Sequence, residues 1–170
     1  QPGPSLPRLT GSQSAMFRLG LPFEMEKQYA YARFSLQSGY TAMEYLLKHC
    51  PDITAVFAMS DLMALGAIRA LNDHGLRVPQ DISVSGYDGI ALGRYSNPRL
   101  TTIRQNRAEL GKSAYFALSS QLHDVSISLI QLHTELIVRS SCGKAPRRPQ
   151  AKKRIPRAEP VTKKERNDEA

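Results

Sequence analysis

Residues 55–105, AVFAMSDLMALGAIRALNDHGLRVPQDISVSGYDGIALGRYSNPRLTTIRQ, decide the fold of this chain. Residues 53–59 form a near-continuous apolar run, the pattern of a strand covered on both faces. Ser60 follows as a helix cap. Leu62, Leu65, Ile68 and Leu71 then repeat at helical spacing, and Gly75 closes the helix as a left-handed terminator. Residues 82–86 read as the next strand, residues 89–99 as a loop rich in Gly, Ser, Asn and Pro, and residues 100–104 as a further short strand. Strands alternating with helices through short connections pair in parallel, so the expected fold class is α/β with a doubly wound parallel sheet.

Working outward, residues 29–34 (YAYARF) are short, aromatic and alternating, and read as a strand. Tyr40, Met43, Leu46, Leu47 and Cys50 fall on one helical stripe that stops at Pro51. Asn106 with Glu109 makes a capping-box-like start to a helix running to about residue 122, and residues 129–138 are a last strand candidate. Residues 1–14 are rich in Pro, Gly and Ser and read as an irregular linker or edge, with Leu9-Thr10-Gly11 as a strand end. Residues 15–141 form the expected domain. Residues 142–170, with almost no large apolar side chains, are expected to be a disordered basic tail.

The chain has 170 residues, 41% of them hydrophobic, enough for one ordinary core. Its net charge of +8 points first to nucleic acid. Ten of the basic residues lie from Lys144 onward against four acids, which leaves +2 for residues 1–143, so the charge belongs to the tail. A basic arm that contacts nucleic acid and an inert extension are both open readings of that tail. Cys50 and Cys142 lie far apart and have no metal-type spacing with His49, His74, His123 or His133, so reduced, cytoplasmic thiols and no metal are expected. No apolar run reaches the length of a membrane span. The sequence opens on Gln1 rather than Met and reads as a fragment.

In an open parallel sheet ligands bind beyond the carboxyl ends of the strands. Those ends carry Phe34, then Ser60 and Asp61, then Asp88. One aromatic ring and two acids around one rim suit a polyhydroxylated or heterocyclic ligand, the ring stacking on Phe34 and the acids bonding hydroxyl or amino groups. Each residue has a second reading. Asp61 is also a carboxylate favoured at a helix N-terminus, Asp88 also an Asp-Gly turn residue, and Phe34 also a core residue. There is no Gly-x-Ser-x-Gly elbow, phosphate loop, dinucleotide fingerprint or His-Glu metal motif, so neither catalysis nor a cofactor is expected.

Taken in order, Ser60-Asp61-Leu62-Met63-Ala64-Leu65-Gly66, Gly75-Leu76-Arg77-Val78-Pro79-Gln80-Asp81-Ile82-Ser83-Val84, Gly86-Tyr87-Asp88 and Pro98-Arg99-Leu100-Thr101-Thr102-Ile103 resemble the LacI/GalR family of bacterial transcriptional regulators. Phe34 with Gly39-Tyr40 and Ala42-Met43 is similar to the purine- and ribose-repressor branch. The resemblance covers residues 30–141. It implies an effector-binding core of periplasmic-binding-protein type, mainly its second subdomain with an incomplete first, in a protein that binds operator DNA as a homodimer. It also implies that Asp88 bonds a sugar or purine-like effector, that Phe34 packs on it, and that Ser60 and Asp61 line the same cleft. Arg18, in Arg18-Leu19-Gly20, is similar to the family's effector-contacting arginine, whose planar fork suits bidentate recognition. No helix-turn-helix is legible here, so operator binding is expected through a segment outside these residues. A periplasmic sugar-binding protein of a transporter is the alternative with the same fold. The helix of residues 106–122 resembles one that packs in the first subdomain, so Leu110, Ala114, Ala117 and Leu118 are expected to lack a partner surface.

Overall fold

The structure, a computed structural model, describes residues 5–123, 125–127 and 129–145. Its centre is a four-stranded sheet ordered β1 (Ala55–Phe57), β2 (Ser83–Asp88), β3 (Thr101–Gln105) and β4 (Thr134–Ile137). The first three strands are parallel, Val56 lying opposite Val84 and Gly86 opposite Thr102. β4 runs antiparallel to β3, with Thr102 opposite Ile137, so the sheet is mixed rather than wholly parallel. Beyond β4, Ser141 is buried between two neighbours. Its hydroxyl donates to the Val84 carbonyl at 2.6 Å and accepts from the Thr101 N–H at 2.7 Å, which ties the end of the domain to β2 and β3.

Helix α4 (Asp61–Asp73) begins as its sequence predicts. Ser60 is the cap, its hydroxyl accepting from the Met63 N–H at 3.2 Å, and Gly75 closes the end with φ +69°. The buried face is wider than the leucine stripe implied: Ala64, Gly66, Ala67, Ile68, Ala70 and Leu71 are buried, whereas Leu62 and Leu65 are only partly so. Helix α3 (Leu36–His49), capped by Ser35, explains the small residues. A Cβ placed on Gly39 would sit 2.2 Å from the Met63 carbonyl oxygen, and one on Gly66 would sit 2.0 Å from that of Leu36. Two glycines thus let the helices meet backbone to backbone. Met43, Leu46 and Leu47 of α3 join Ile68, Leu71, Val84 and Leu100 in one core. Each such side chain is worth about 1.5–3 kcal/mol on burial.

Several expectations change. Residues 1–14 are not an irregular linker where described, because Ser5–Arg18 form helix α1, and Leu9-Thr10-Gly11 lies inside it. Residues 29–34 belong to no ladder, and the backbone bends at residue 34, where the Ser35 N–H donates to the Arg33 carbonyl at 2.8 Å. The Tyr29 and Tyr31 rings meet edge to face at 4.9 Å. A four-residue helix α2 (Met25–Gln28) precedes them. Without a partner on that side β1 is an edge strand, and Ala55 is exposed rather than covered on both faces. Helix α5 (Arg107–Leu122) starts at Asn106, whose side chain accepts from the Glu109 N–H at 3.2 Å, yet it buries no residue. Among the described α-helices only α3 and α4 contain buried residues. Most of the basic tail, residues 146–170, lies outside the described residues.

Candidate functional site

Parallel pairing sends the carboxyl ends of β1, β2 and β3 to one edge, where Met59, Asp88 and Gln105 meet. Asp88 occupies this rim. Its carboxylate accepts from Gln105 Nε2 at 2.9 Å and its side chain is about one-third exposed. Its φ is +115°, a conformation unfavourable for a residue with a Cβ, and Gly89 follows at +69°. Gly89 has no room for a side chain, since a Cβ would meet the Arg104 side chain at 2.8 Å. A strained carboxylate at a strand end is the kind of backbone feature that clusters at ligand sites. Phe34 lies at the same rim and is 48% exposed, so it is not a core residue.

Ser60 and Asp61 are not on the rim. Ser60 is buried, with its hydroxyl spent on the cap of α4. Asp61 is fully buried beneath the strand ends: Thr102 Oγ1 donates to its Oδ1 at 2.5 Å, and the Ile90 N–H donates to its Oδ2 at 2.7 Å. Burial pushes its carboxyl above the ordinary value of 3.8, while the hydrogen bonds from Thr102 and Ile90 pull the other way. A Cβ on Gly86 would fall 2.3 Å from Asp61 Oδ1, so the glycine of Gly86-Tyr87-Asp88 makes room for this carboxylate. Asp61 therefore joins α4 to β3 and to the loop after β2. It holds the floor on which Asp88 stands.

Arg18 ends α1 and is exposed. The arginine that reaches the rim is Arg8, ten residues earlier and about 15 Å along the helix axis. Its guanidinium carbon lies 3.9 Å from the Tyr87 ring centroid and 5.9 Å from that of Phe34. Its Nη2 is 3.8 Å from Asp88 Oδ1, and its Nη1 donates to the Met59 carbonyl. Arg8, Tyr87 and Gln105 are site residues that sequence reasoning missed. Gln105, three residues after the paired threonines, and Tyr87, beside Asp88, were legible as lying at or near strand ends. Nothing in the residues around Arg8 marks it.

Four further arginines, Arg94, Arg99, Arg104 and Arg139, line an open groove beside β4. Two of them are engaged, Arg104 with Glu135 and Arg139 with the Leu100 carbonyl at 2.7 Å. Among the described residues no group of His, Cys, Asp and Glu is placed to hold a metal, and no helix is long and apolar enough to cross a membrane.

A mixed α/β sheet with a ligand-type rim at its carboxyl edge defines a class, and residues 1–142 match the family described as the periplasmic binding protein-like domain, to which the chain belongs. Over 110 residues it is 43% identical to the HTH-type transcriptional repressor PurR of Pasteurella multocida, covering 64% of this chain and 33% of that protein. It is similar in structure to the transcriptional regulator CelR in its cellobiose complex, with 34% identity and a TM-score of 0.74 over 79% of this chain and 41% of the other. A LacI-family regulator from Enterococcus faecium with bound ribose is 32% identical, with a TM-score of 0.72 over 82% of this chain and 51% of the other. The chain thus spans about a third of the length of the curated relatives it matches, and these relatives are regulators rather than enzymes or transport proteins.

Proposed function

We propose that this chain is the effector-sensing part of a LacI-type transcriptional repressor, which binds a small sugar or nucleobase at the Asp88 rim and so controls operator binding by the whole protein. The observation that carries this reading is Asp88. It is held at a positive φ on the carboxyl edge of a parallel sheet, oriented by Gln105, with the rings of Phe34 and Tyr87 beside it. Relatives of this fold with cellobiose and with ribose support a polyhydroxylated ligand. In the whole protein, operator recognition as a homodimer and a cytoplasmic location go with this role. Neither Ser60 nor Asp61 contacts the effector in this reading. Both position the strand ends, and Arg18 stands apart.

The test titrates the chain with ribose, cellobiose and adenine by calorimetry and repeats each titration with Asp88→Gly. Glycine adopts a positive φ without strain, so the variant should fold while losing the carboxylate. At least one probe should bind, and the variant should bind it more weakly by about 1–3 kcal/mol, the cost of leaving bonded polar groups without a partner. Equal affinity in both proteins, or no binding of any of the three, overturns the reading.

A further inference from the structure

Among the described residues Asp88 is the one non-glycine with a positive φ, and such a conformation persists only where its surroundings hold it. The two N–H groups that follow it both point into the protein. That of Gly89 donates to Thr102 Oγ1 at 3.3 Å, and that of Ile90 donates to Asp61 Oδ2 at 2.7 Å. Successive N–H groups converging in this way make the kind of backbone cradle that binds an anion. Here the anion is internal, the Asp61 carboxylate. The Thr102 hydroxyl closes the set, accepting from Gly89 while donating to Asp61 Oδ1 at 2.5 Å. Thr102 and Asp61 are both fully buried, where hydrogen bonds to a charged acceptor are strongest. The paired threonines divide the work. Thr101, equally out of solvent, exchanges bonds with the Arg139 backbone, at 2.9 and 3.2 Å, and makes none to the turn.

We infer that Thr102 is a positioning residue of the ligand site: with Asp61 and the Gly89 and Ile90 N–H groups it holds Asp88 at its positive φ, so that the carboxylate is in place before the effector arrives. This rests on the sensor reading of the Asp88 rim and adds to it a residue that never touches the ligand. The benefit is preorganisation. A ligand binds the fraction of chains in which Asp88 is in place, and affinity falls in proportion as that fraction falls. Without the Thr102 hydroxyl the turn loses a donor and an acceptor together, and Asp88 relaxes toward an ordinary φ, away from Gln105.

The experiment compares the unmodified full chain with Thr102→Val, which keeps the shape and loses the hydroxyl, and Thr102→Ser, which keeps the hydroxyl. Thr101→Val is the control. Ligand-free NMR comes first, because the three-bond coupling between the Asp88 amide and α protons is small at φ +115° and large at extended values. It should be small in the unmodified chain, Thr102→Ser and Thr101→Val, and should rise in Thr102→Val. An unchanged coupling in Thr102→Val overturns the inference. Calorimetry with ribose, cellobiose and adenine should show the probe that binds doing so about tenfold more weakly to Thr102→Val, and with parent affinity to Thr102→Ser. In an Asp88→Gly background Thr102→Val should cost nothing further, since it acts through Asp88, and additive losses refute that. Should Thr102→Val fail to fold, amide exchange in the unmodified chain decides: Gly89 and Ile90 as protected as β2 support the inference, and exchange as fast as at exposed Asn97 overturns it. If none of the three probes binds, the sensor reading falls, and the Asp88 coupling still decides whether Thr102 holds Asp88.

Discussion

Replacing Asp61 with alanine tests whether this carboxylate belongs to the frame or to the ligand. The change removes the acceptor of two bonds, from Thr102 Oγ1 at 2.5 Å and from the Ile90 N–H at 2.7 Å. A hydrogen bond to a charged group is worth about 1.5–3 kcal/mol, so the gross loss is roughly 3–6 kcal/mol. Part of it returns because a buried charge no longer has to be desolvated. A net loss of about 2–4 kcal/mol is expected, a large fraction of a domain stability of about 5–15 kcal/mol. Asp61→Asn should cost about half as much, because its carbonyl still accepts from Thr102 while its amide faces the Ile90 N–H, donor to donor.

The same pair of proteins carries a pH signature. Burial raises the native carboxyl of Asp61 above 3.8, so the native state keeps this proton at pH values where the unfolded chain has released it. Stability from that proton is full below the unfolded value and is lost as pH rises through the raised native value. Asp61→Asn should flatten this acid-side slope. Urea denaturation followed by circular dichroism, run at several pH values, measures both effects. An Asp61→Ala chain within about 0.5 kcal/mol of the parent would refute the structural role and return Asp61 to the list of ligand groups.

Two more outcomes follow from packing. Gly66→Ala should separate α3 from α4, because its Cβ would lie 2.0 Å from the Leu36 carbonyl oxygen, and should cost about 2–3 kcal/mol in urea denaturation; an unchanged midpoint would show that the helices are not in backbone contact. Leu118→Lys on α5, where Leu118 is 59% exposed, should change stability by less than about 0.5 kcal/mol while reducing self-association in sedimentation velocity. A loss of several kcal/mol would mean that α5 docks.

Residues whose neighbours are close in sequence were legible from it. The caps Ser60 and Asn106, the stop at Gly75, the helix of residues 36–49 and the order of strands and helices are set within a turn or two of chain, where periodicity and capping chemistry act directly. Parallel pairing followed from that order, and so did the placing of Asp88 at a strand end.

Only the tertiary structure separated Asp61 from Asp88. Both are carboxylates just past a strand, yet one turns under Gly86 to Thr102, forty-one residues away, and the other stands at the rim against Gln105. It also left residues 29–34 unpaired, since a strand needs a ladder partner that alternation in sequence cannot supply. It brought Arg8 rather than Arg18 to the rim, because a helix delivers a side chain according to where its axis lies. Local pattern fixes which elements form. Contacts across dozens of residues fix which side chains meet.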